Sequence, residues 1–533
     1  MKLLLKGGKI YDGTGSEPYV SDILTEDDRI VLIEENIDVK RADKVIDITG
    51  LSISAGFIDI HSHNDWFAIK KDPVPFFEPF VKQGITTFVA GNCGISTIGF
   101  NEGSEYTDKL GGGLFFFKDT RGKYPDIDSL NKEIDRKIPT NMATCVGHCS
   151  ARAAVSGYAN RKLTKDEEEK MLSILEENLK QGAAGISLGL MYEPGLYADI
   201  EELKKVAALC IKYNKPLTVH PRANSAVSMA YPELLGRSHL LRGVDELYEI
   251  GKGTNLKLQY SHAIFVGRRS LKDQPEFLSL INKMRESGMD ARFDIYNELK
   301  GVSVITVILP TWYQGMSEEE RNKPLNKLKL RLLIKATSML LGFGFKDIEV
   351  AYIGEGFEKY EGKTVHELAK EYGMRDLDMY LKLCKESDFK GRVNMGPYTS
   401  EKIIHDFEKN ELCLYMTDAW VEENGIQNPA IYDCFPKFLK DSIKGYGDTL
   451  PNTIRRMTGQ SADRFMLKDR GYVKPGFFAD FTVFDEEELL ISPFDRTESF
   501  GIKDVIVNGE VVMLNKEIDY KAFNSAGRAL KVL

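Results

Sequence analysis

Two histidines, His61 and His63, follow a short and mostly apolar stretch at residues 57–60. If that stretch is a strand, both imidazoles project from the same face, because strand side chains alternate. Neighbouring imidazoles can chelate zinc, copper, iron or nickel. The alternative is that both residues end the strand as hydrogen-bonded, chemically inactive groups, since a single His-x-His pattern is weak. The positions of the other ligand-type residues separate these interpretations.

Ligand-type residues also end several other predicted strands. His220 ends the fifth and His262 follows the sixth, whereas the second leads into Cys93 and the eighth into Asp418. The carboxyl ends of the strands of a parallel barrel face one mouth, where active sites form. Side chains placed independently would not favour this end so consistently. The sequence therefore predicts a metal site built from these residues.

Eight strand-length apolar runs recur along the chain, and amphipathic helical stretches follow most of them. The runs lie at residues 57–60, 86–90, 142–146, 184–190, 216–219, 256–260, 291–295 and 412–416. Helices are predicted at residues 167–180, 200–213 and 275–287. This alternation predicts an α/β fold with a (β/α)8 TIM-type barrel. A doubly wound open sheet is the main alternative, but we find no glycine-rich dinucleotide fingerprint.

Short strand-like runs at both ends of the chain predict a second, smaller domain. Residues 1–55 alternate between such runs and turn residues, and residues 470–515 return to this pattern. Asn508 and Gly509 indicate a hairpin, because both tolerate the positive φ of a type I′ turn. We expect one β-sandwich domain to combine the two segments. The predicted boundaries are 1–55 and 468–533 for this domain and 56–467 for the barrel.

Two connections within the predicted barrel are long. Residues 94–141 contain three consecutive glycines and the phenylalanine run 115–117, and we expect an active-site loop with a helix there. Residues 297–411 are predicted to hold several helices in a small inserted subdomain, because structureless loops of that length are rare. A single helix is predicted at residues 453–464.

The composition is that of an ordinary globular protein of 533 residues, with 42% hydrophobic and 28% charged residues. A formal net charge of −9 argues against a nucleic-acid-binding surface, which is normally basic. No apolar run approaches the roughly 18 residues of a membrane-spanning helix, and the first residues do not resemble a signal peptide. Seven cysteines without framework spacing indicate reduced thiols. We therefore expect a cytoplasmic protein whose partner is a small molecule, with its oligomeric state open.

Several motifs make the chain resemble the amidohydrolase superfamily, and within it the N-acyl-D-amino-acid deacylase (D-aminoacylase) family. The resemblance covers most of the chain except the insertion at 297–411. Its most specific element is Gly91-Asn92-Cys93-Gly94, since most metal-dependent relatives use a carboxylated lysine as the bridging ligand. The other matching segments are residues 56–63, 182–187, 455–459 and 468–480, together with His220, Ser261-His262 and Asp418.

The resemblance implies a tightly bound zinc ion held by Cys93, His220 and His262. A second, weaker position would lie near His61 and His63, with Cys93 able to bridge the two. The resemblance also implies that Asp418 is the general base. Such chemistry is coherent on general grounds, because zinc lowers the pKa of water towards about 7 and a carboxylate can accept its proton.

Four further residues are candidates for supporting roles. Asp65 is predicted to be a carboxylate that orients a ligand or a loop. Tyr192 follows the fourth predicted strand and could face the substrate, the alternative being a packed loop aromatic. Arg222 is a candidate for binding a substrate carboxylate. His148 is also a candidate for substrate binding, the alternative being a hydrogen bond to backbone across the barrel mouth.

The chain departs from the family pattern where the substrate carboxylate would bind. Ile264 replaces a lysine, and the segments 296–298 and 428–430 differ from the family's Tyr-Pro-Tyr and His-Pro-Arg. The residues that could restore a positive charge are Arg222, Arg268, Arg269 and Lys300.

The sequence thus predicts zinc-dependent hydrolysis of a linear amide C–N bond, most specifically deacylation of N-acyl-D-amino acids. Alternatives are a cyclic-amide hydrolase of the hydantoinase or dihydropyrimidinase type, and a hydrolase of formamides or other amides. A non-catalytic binding protein with an amidohydrolase-like body is a third alternative. The intact set of Cys93, His220, His262 and Asp418 argues against this last one.

Overall fold

The structure is a computed structural model that describes residues 1–100, 124–228, 230–231, 236–493 and 498–533. Five strands form the first part of the chain. The side chains of Leu3, Leu5, Ile10 and Ile23 are fully buried, so the apolar runs pack inward as predicted. The strands are β1 (Lys2–Tyr11), β2 (Tyr19–Glu26), β3 (Arg29–Glu34), β4 (Lys44–Asp47) and β5 (Ser52–Ala55).

The eight predicted apolar runs all contain strands, whose bounds differ from the prediction by at most two residues. The third run differs most, because it is divided at Cys145 into two short strands. The first group comprises β6 (Phe57–Asp59), β7 (Ile85–Ala90), β8 (Asn141–Thr144), β9 (Val146–Gly147), β10 (Ile186–Gly189), β11 (Pro216–His220), β12 (Lys257–Tyr260) and β13 (Asp290–Ile295). Later strands are β14 (Gly301–Val304), β15 (Ile348–Tyr352), β16 (Arg392–Met395) and β17 (Cys413–Tyr415).

The strands β6 to β13, together with β17, form two parallel sheets in which each strand pairs with its neighbour in the series. The order is β6–β7–β8 in one sheet and β9–β10–β11–β12–β13–β17 in the other. Between them, the Cys145 N–H donates to the Ala90 carbonyl at 2.8 Å. At the other end of the series, the Asp418 N–H donates to the His61 carbonyl at 3.2 Å, so the ends of β17 and β6 meet. The strand order is the one found in (β/α)8 barrels.

Helices alternate with the parallel strands, and the three predicted amphipathic helices are confirmed. None of the helices in the described ranges combines the length and hydropathy needed to cross a bilayer. The helices before the insertion are α1 (Asp65–Ala68), α2 (Val74–Lys82), α3 (Ile127–Ile134), α4 (His148–Ser156), α5 (Lys165–Gln181), α6 (Ile200–Lys212), α7 (His239–Gly251) and α8 (Gln274–Glu286). The loop predicted at 94–141 contains α3, but its glycine and phenylalanine runs lie outside the described residues.

The insertion at 297–411 has its own sheet and its own apolar core. β14, β16 and β15 form an antiparallel sheet in that order. Ile305, Leu330, Val350, Leu368 and Tyr380 are buried together in a cluster separate from that of the parallel sheets. The helices of this region are α9 (Thr311–Gln314), α10 (Glu318–Asn322), α11 (Pro324–Leu341), α12 (Val365–Glu371), α13 (Asp376–Glu386) and α14 (Glu401–Glu408).

The prediction of a single helix at 453–464 is wrong, because the chain turns at Thr458. This residue has φ −130° and ψ −95°, so one helix ends there and another begins. A Cβ atom on Gly459 would lie 2.5 Å from the Gly13 carbonyl oxygen, so the start of the second helix packs closely on the amino-terminal segment. The last helices are α15 (Ala430–Ile443), α16 (Leu450–Met457), α17 (Gly459–Arg464), α18 (Glu486–Ile491) and α19 (Tyr520–Phe523).

The two ends of the chain share one mixed sheet of nine strands. β5 pairs antiparallel with β18, which joins the amino-terminal strands to the carboxyl-terminal ones. The predicted hairpin is confirmed, with Asn508 at φ 50° and Gly509 at φ 80° between two paired strands. The carboxyl-terminal strands are β18 (Phe481–Phe484), β19 (Ile502–Val507), β20 (Glu510–Leu514) and β21 (Glu517–Ile518).

A buried polar network connects this sheet to the parallel strands. The Asp480 carboxylate accepts from the Asn508 N–H at 2.7 Å and from the Asn141 side chain at 3.3 Å. The Arg470 guanidinium pairs with the same carboxylate and donates to the Asn508 side chain at 2.9 Å. Arg470 and Asp480 are at most 5% exposed, so neither charge has water as an alternative partner.

We expect Asp480→Ala to lower the free energy of unfolding by about 3–5 kcal/mol, because it leaves the Arg470 charge buried without its ionic partner. The matched control is Glu169→Ala, which removes an exposed pair with Lys165 and should cost less than about 1 kcal/mol. Urea unfolding followed by circular dichroism measures both. Equal unfolding midpoints for the two variants would contradict this assignment.

Candidate metal centre

Three imidazole nitrogens surround the sulfur of Cys93 at the carboxyl ends of the parallel strands. The Cys93 Sγ lies 3.3 Å from His61 Nε2, 3.6 Å from His220 Nδ1 and 3.6 Å from His262 Nε2. All four side chains are buried. The structure therefore brings together residues that are far apart in the sequence, from the ends of β6, β7, β11 and β12.

Asp418 and His63 extend this cluster on one side. The Asp418 Oδ1 lies 3.4 Å from His61 Nε2 and 3.5 Å from His63 Nε2. The side chain of Asp418 is 21% exposed, so it is the more accessible partner in these contacts. Two ligand groups thus share the Cys93 sulfur, one with His220 and His262 and the other with His61, His63 and Asp418.

The spacing of the first group fits a tetrahedral zinc ion. With zinc–sulfur and zinc–nitrogen bonds of about 2.3 and 2.05 Å, the sulfur and nitrogen ligand atoms are about 3.6 Å apart. The distances from Cys93 Sγ to His220 Nδ1 and His262 Nε2 have this value. One thiolate and two imidazoles leave a fourth position for water or substrate, as catalytic zinc sites require.

The backbone at the site is held in an unusual conformation. Cys93, His262 and Asp418 have φ values of 54°, 36° and 47°, in the left-handed region that non-glycine residues rarely occupy. Each such residue costs on the order of 1–3 kcal/mol and persists only where the surroundings enforce it. These three residues direct their side chains to one point just after the strands end.

Hydrogen bonds on two sides fix the loop that carries Cys93. The Ser187 hydroxyl donates to the Gly91 carbonyl at 2.6 Å and accepts from the Gly94 N–H at 3.0 Å. The Asp65 carboxylate accepts from the Gly91 N–H at 3.3 Å and from the Thr97 N–H at 2.9 Å. Through these contacts Asp65 can orient the loop that carries Cys93.

Asp294 is a site residue that the sequence analysis missed. Its carboxylate accepts from the His262 N–H at 2.6 Å and lies 3.6 Å from His61 Nδ1. The Gln259 side chain donates to its other oxygen at 2.8 Å. The available signal was a carboxylate near the carboxyl end of a predicted strand, β13, where the other ligands also lie. On the other side, the Asn224 side chain lies 3.4 Å from His220 Nε2 and can orient that ring.

Three tyrosines line the same region. The Tyr192 hydroxyl lies 3.4 Å from His220 Nδ1, and the two rings are 4.6 Å apart. Burial, together with the Asp418 charge, raises the pKa of Tyr296 and of Tyr398. These phenols therefore remain neutral hydrogen-bond donors. Tyr398 belongs to the insertion, which sequence reasoning did not connect to the site.

The other two candidates for substrate binding form contacts within the protein. His148 is fully buried, with Nε2 2.7 Å from the Glu202 carboxylate. The Arg222 guanidinium donates to the Glu246 carboxylate at 2.9–3.2 Å and to the backbone carbonyls of two residues in the loop after β10. The substrate roles of His148 and Arg222 stay predictions.

Two other candidate cations also have acidic partners. The Arg268 guanidinium lies 2.7 Å from the Asp347 carboxylate, and the Lys300 ammonium lies 2.7 Å from that of Glu349. Lys300 also lines a cavity of about 550 Å³. The segments 296–298 and 428–430, which depart from the family pattern, both contribute residues to this cavity.

Curated relatives align with nearly the whole chain. A D-aminoacylase from Alcaligenes xylosoxydans xylosoxydans is 27% identical over 529 residues, which cover 96% of this chain and 94% of the relative. An N-acyl-D-glutamate deacylase from the same organism is 25% identical over 519 residues, with 96% and 93% covered. The chain is a homologue of the D-aminoacylases. No family model matches the sequence.

Solved structures show the same fold. An N-acyl-D-glutamate deacylase from Bordetella bronchiseptica, in complex with zinc and a phosphonate inhibitor, has a TM-score of 0.79 at 23% identity. A D-aminoacylase described as defining a novel subset of amidohydrolases has a TM-score of 0.77 at 24% identity. Each match covers 99% of both chains. A D-hydantoinase has a TM-score of 0.55 at 14% identity and covers 100% of this chain and 99% of its own.

The environment of Cys93 favours a thiolate. Burial by itself would raise the pKa of the thiol, but the imidazoles of His61, His220 and His262 outweigh burial. They hold the pKa well below its usual range. The thiolate is the form of cysteine that binds metals, so the ligand is available without an added base.

Asp418 is also held in its charged form. Burial would raise the pKa of its carboxyl group, but the neighbouring imidazoles of His61, His63 and His262 outweigh burial and lower it. A carboxylate beside the metal ligands can accept a proton, which a protonated acid cannot.

The histidines differ in how they hold protons. Burial and the neighbouring His262 imidazole lower the pKa of His220 to about 4, so this ring offers a lone pair. Burial acts in the same direction on His63, but Asp418 and Cys93 outweigh it and raise the pKa of His63 to about 9. Metal binding and protonation use the same lone pair. The pKa of His262 is raised as well, so protons compete with a metal in both ligand groups.

We expect Gly189→Ala to destabilise the protein, because a Cβ atom there would lie 2.0 Å from the Cys93 carbonyl oxygen. Overpacking of this kind costs about 1–3 kcal/mol. Gly344→Ala is the control, since that glycine has an extended backbone and nothing within 4 Å of an added Cβ. Thermal unfolding measures both variants. Equal thermal unfolding midpoints for Gly189→Ala and Gly344→Ala would refute the close packing of β10 on the Cys93 loop.

Proposed function

We propose that the chain is a zinc-dependent amidohydrolase that removes the acyl group from N-acyl-D-amino acids. The observation that carries this proposal is the Cys93 sulfur with imidazole nitrogens at 3.3–3.6 Å beside the Asp418 carboxylate. The relatives that match over nearly the whole chain are named D-aminoacylase, N-acyl-D-glutamate deacylase and N-acyl-D-aspartate deacylase. Their names support hydrolysis of a non-peptide C–N bond as the reaction.

We further infer that the parallel strands close into a (β/α)8 barrel spanning residues 56–467, with residues 297–411 inserted. The strand order and the hydrogen bond between Asp418 and His61 at the ends of the series support this closure. Residues 1–55 and 468–533 would form the accompanying β-sandwich domain. Their shared nine-stranded sheet supports that pairing.

In this proposal, Cys93, His220 and His262 hold the tightly bound zinc ion. His61 and His63 would hold a second, more weakly bound ion, and Cys93 belongs to both ligand groups. The metal supplies Lewis acidity, which polarises the amide carbonyl and lets water ionise near neutral pH. The tetrahedral spacing of the first group supports its assignment as the tighter site.

Asp418 carries the proton transfers of the reaction. Its carboxylate accepts a proton from water as the water oxygen attacks the carbonyl carbon. The protonated acid then gives this proton to the amide nitrogen, so that the C–N bond breaks and a neutral amine leaves. Its accessible side chain and its position beside the metal ligands suit the first of these steps.

Neutral donors would bind the polar groups of the substrate. Tyr192, Tyr296 and Tyr398 lie near the metal ligands and keep their protons because their pKa values are raised. The cations Arg268 and Lys300 already pair with carboxylates, so binding a substrate carboxylate through either would need an exchange of partners. A phenol can donate a hydrogen bond to a carboxylate without such an exchange.

A cyclic amide is the second candidate substrate. The observation that favours it is the likeness to D-hydantoinase, which has a TM-score of 0.55 over 100% of this chain. The higher TM-scores of the deacylases favour the linear amide. We also propose a cytoplasmic location, which the seven free cysteines support.

A panel of N-acetyl-D-amino acids, their L enantiomers and hydantoin tests the proposal, with Asp418→Asn as the matched variant. We expect release of amine from D substrates by the zinc-loaded protein. Asp418→Asn should lower kcat by about 10²–10⁴-fold and keep its zinc, because general acid–base catalysis is lost and the tight ligands remain. Turnover of hydantoin alone would refute the linear-amide proposal. Full activity of Asp418→Asn would refute its role as the base.

We expect Cys93→Ser to lose zinc on dialysis against a weak chelator. Removing a direct ligand should exceed the roughly 10–100-fold loss of affinity seen when an outer partner of a ligand is removed. Cys149→Ser is the control, because Cys149 is also fully buried but burial raises its pKa to about 12. Elemental analysis measures zinc per chain. Equal zinc in both variants would mean that Cys93 is not a ligand.

A further inference from the structure

A third group of ligand-type residues lies where two helices end, away from Cys93. His405 and Glu408 are three residues apart on α14, so they share one face of the helix. Asp441 faces them from α15, with its Oδ2 3.8 Å from His405 Nε2. One ligand atom from each residue lies within 4.8 Å of the other two. This geometry would let all three bind a single ion.

This cluster lies at the opposite end of the parallel sheet from the metal centre. Glu408 ends α14 shortly before β17 begins, so the cluster is near the amino end of that strand. Asp418 follows the carboxyl end of the same strand. Because parallel strands present their carboxyl ends on one side, the cluster is on the far side from the proposed reaction.

The Glu408 side chain indicates that the cluster has a ligand. Glu408 is only 1% exposed, and neither of its carboxylate oxygens has a hydrogen-bond partner among the described residues. Buried polar groups in native proteins almost always have a partner, and an unpaired buried carboxylate is costly. The nearby Arg456 guanidinium does not supply one, since it bonds the backbone carbonyl of Glu408 and the carboxylate of Asp448.

Two neighbouring residues leave room for the cluster and position its imidazole. A Cβ atom on Gly447 would lie 2.3 Å from Glu408 Oε2, so only glycine leaves space for that oxygen. The Tyr446 ring packs against the His405 ring with centroids 5.2 Å apart. His405 is the more exposed member of the cluster, which gives an ion a path from solvent.

We propose that His405, Glu408 and Asp441 bind a divalent transition-metal ion such as zinc. Two carboxylates balance the charge of the ion, and the imidazole favours transition metals over calcium or magnesium, which prefer oxygen ligands. The ion joins the carboxyl ends of α14 and α15 and so has a structural role. This site goes beyond the proposed function, which uses only the centre at Cys93.

Crystals of the full-length, zinc-loaded protein test this site directly. After dialysis to remove weakly bound metal, we expect an anomalous peak at the zinc edge between His405 Nε2 and the carboxylates of Glu408 and Asp441. This readout is independent of activity and of the Cys93 centre. Failure of the proposed function would leave the peak in place. Absence of the peak, with zinc still bound at Cys93, would overturn only this inference.

Elemental analysis of matched variants gives a second test in solution. Glu408→Gln should contain roughly one zinc equivalent less than the unmodified protein, because it removes a charged ligand. Asp406→Asn makes the same change of charge on the same helix at a residue that pairs with Lys402, and should keep all its zinc. His405→Gln serves if Glu408→Gln does not fold. Zinc content in the folded ligand variant equal to that of Asp406→Asn would overturn the proposal.

Discussion

The structure depends on one constraint, which is that ligands from four strands must meet at the sulfur of Cys93. Separations of 3.3–3.6 Å between this sulfur and three imidazole nitrogens allow little error in any of the four strands. Parallel strands in sequence order solve the problem, because their carboxyl ends all face the same side. The buried apolar runs of these strands then hold the ends rigidly, since close-packed cores resist small displacements.

The same constraint explains why strain gathers at the strand ends. His220 reaches the Cys93 sulfur from within β11, whereas three other residues of the site lie just beyond the ends of their strands. The left-handed backbone of Cys93, His262 and Asp418 redirects these side chains towards one point. Short-range packing enforces that conformation, and the contact of Gly189 with the Cys93 loop is the tightest example. Stability is thus lowered locally so that the ligands converge.

Much of this organisation could be predicted from the sequence, because it rests on short-range patterns. Apolar runs gave the parallel strands to within two residues, and ligand-type residues at their ends indicated the cluster. What could not be predicted depends on contacts between distant segments. Gly459, which follows the bend at Thr458, packs closely on Gly13 near the other end of the chain, and no local pattern reveals that contact. Asp294 was missed because its partners, His61 and His262, lie on other strands.

The segments that depart from the family resemblance lie apart from the ligands around Cys93. The residues around Cys93 fit the family resemblance, whereas the segments at 296–298 and 428–430 depart from it and border one cavity. Lys300 lines that cavity but pairs with Glu349, so positive charge near it is already balanced. A substrate carboxylate entering there would have to compete with a protein carboxylate for the same cation, which costs desolvation on both sides. Neutral phenols such as Tyr398 avoid this competition. Under the proposed function, recognition through such donors would tolerate a wider range of acylated amines than a fixed cation would.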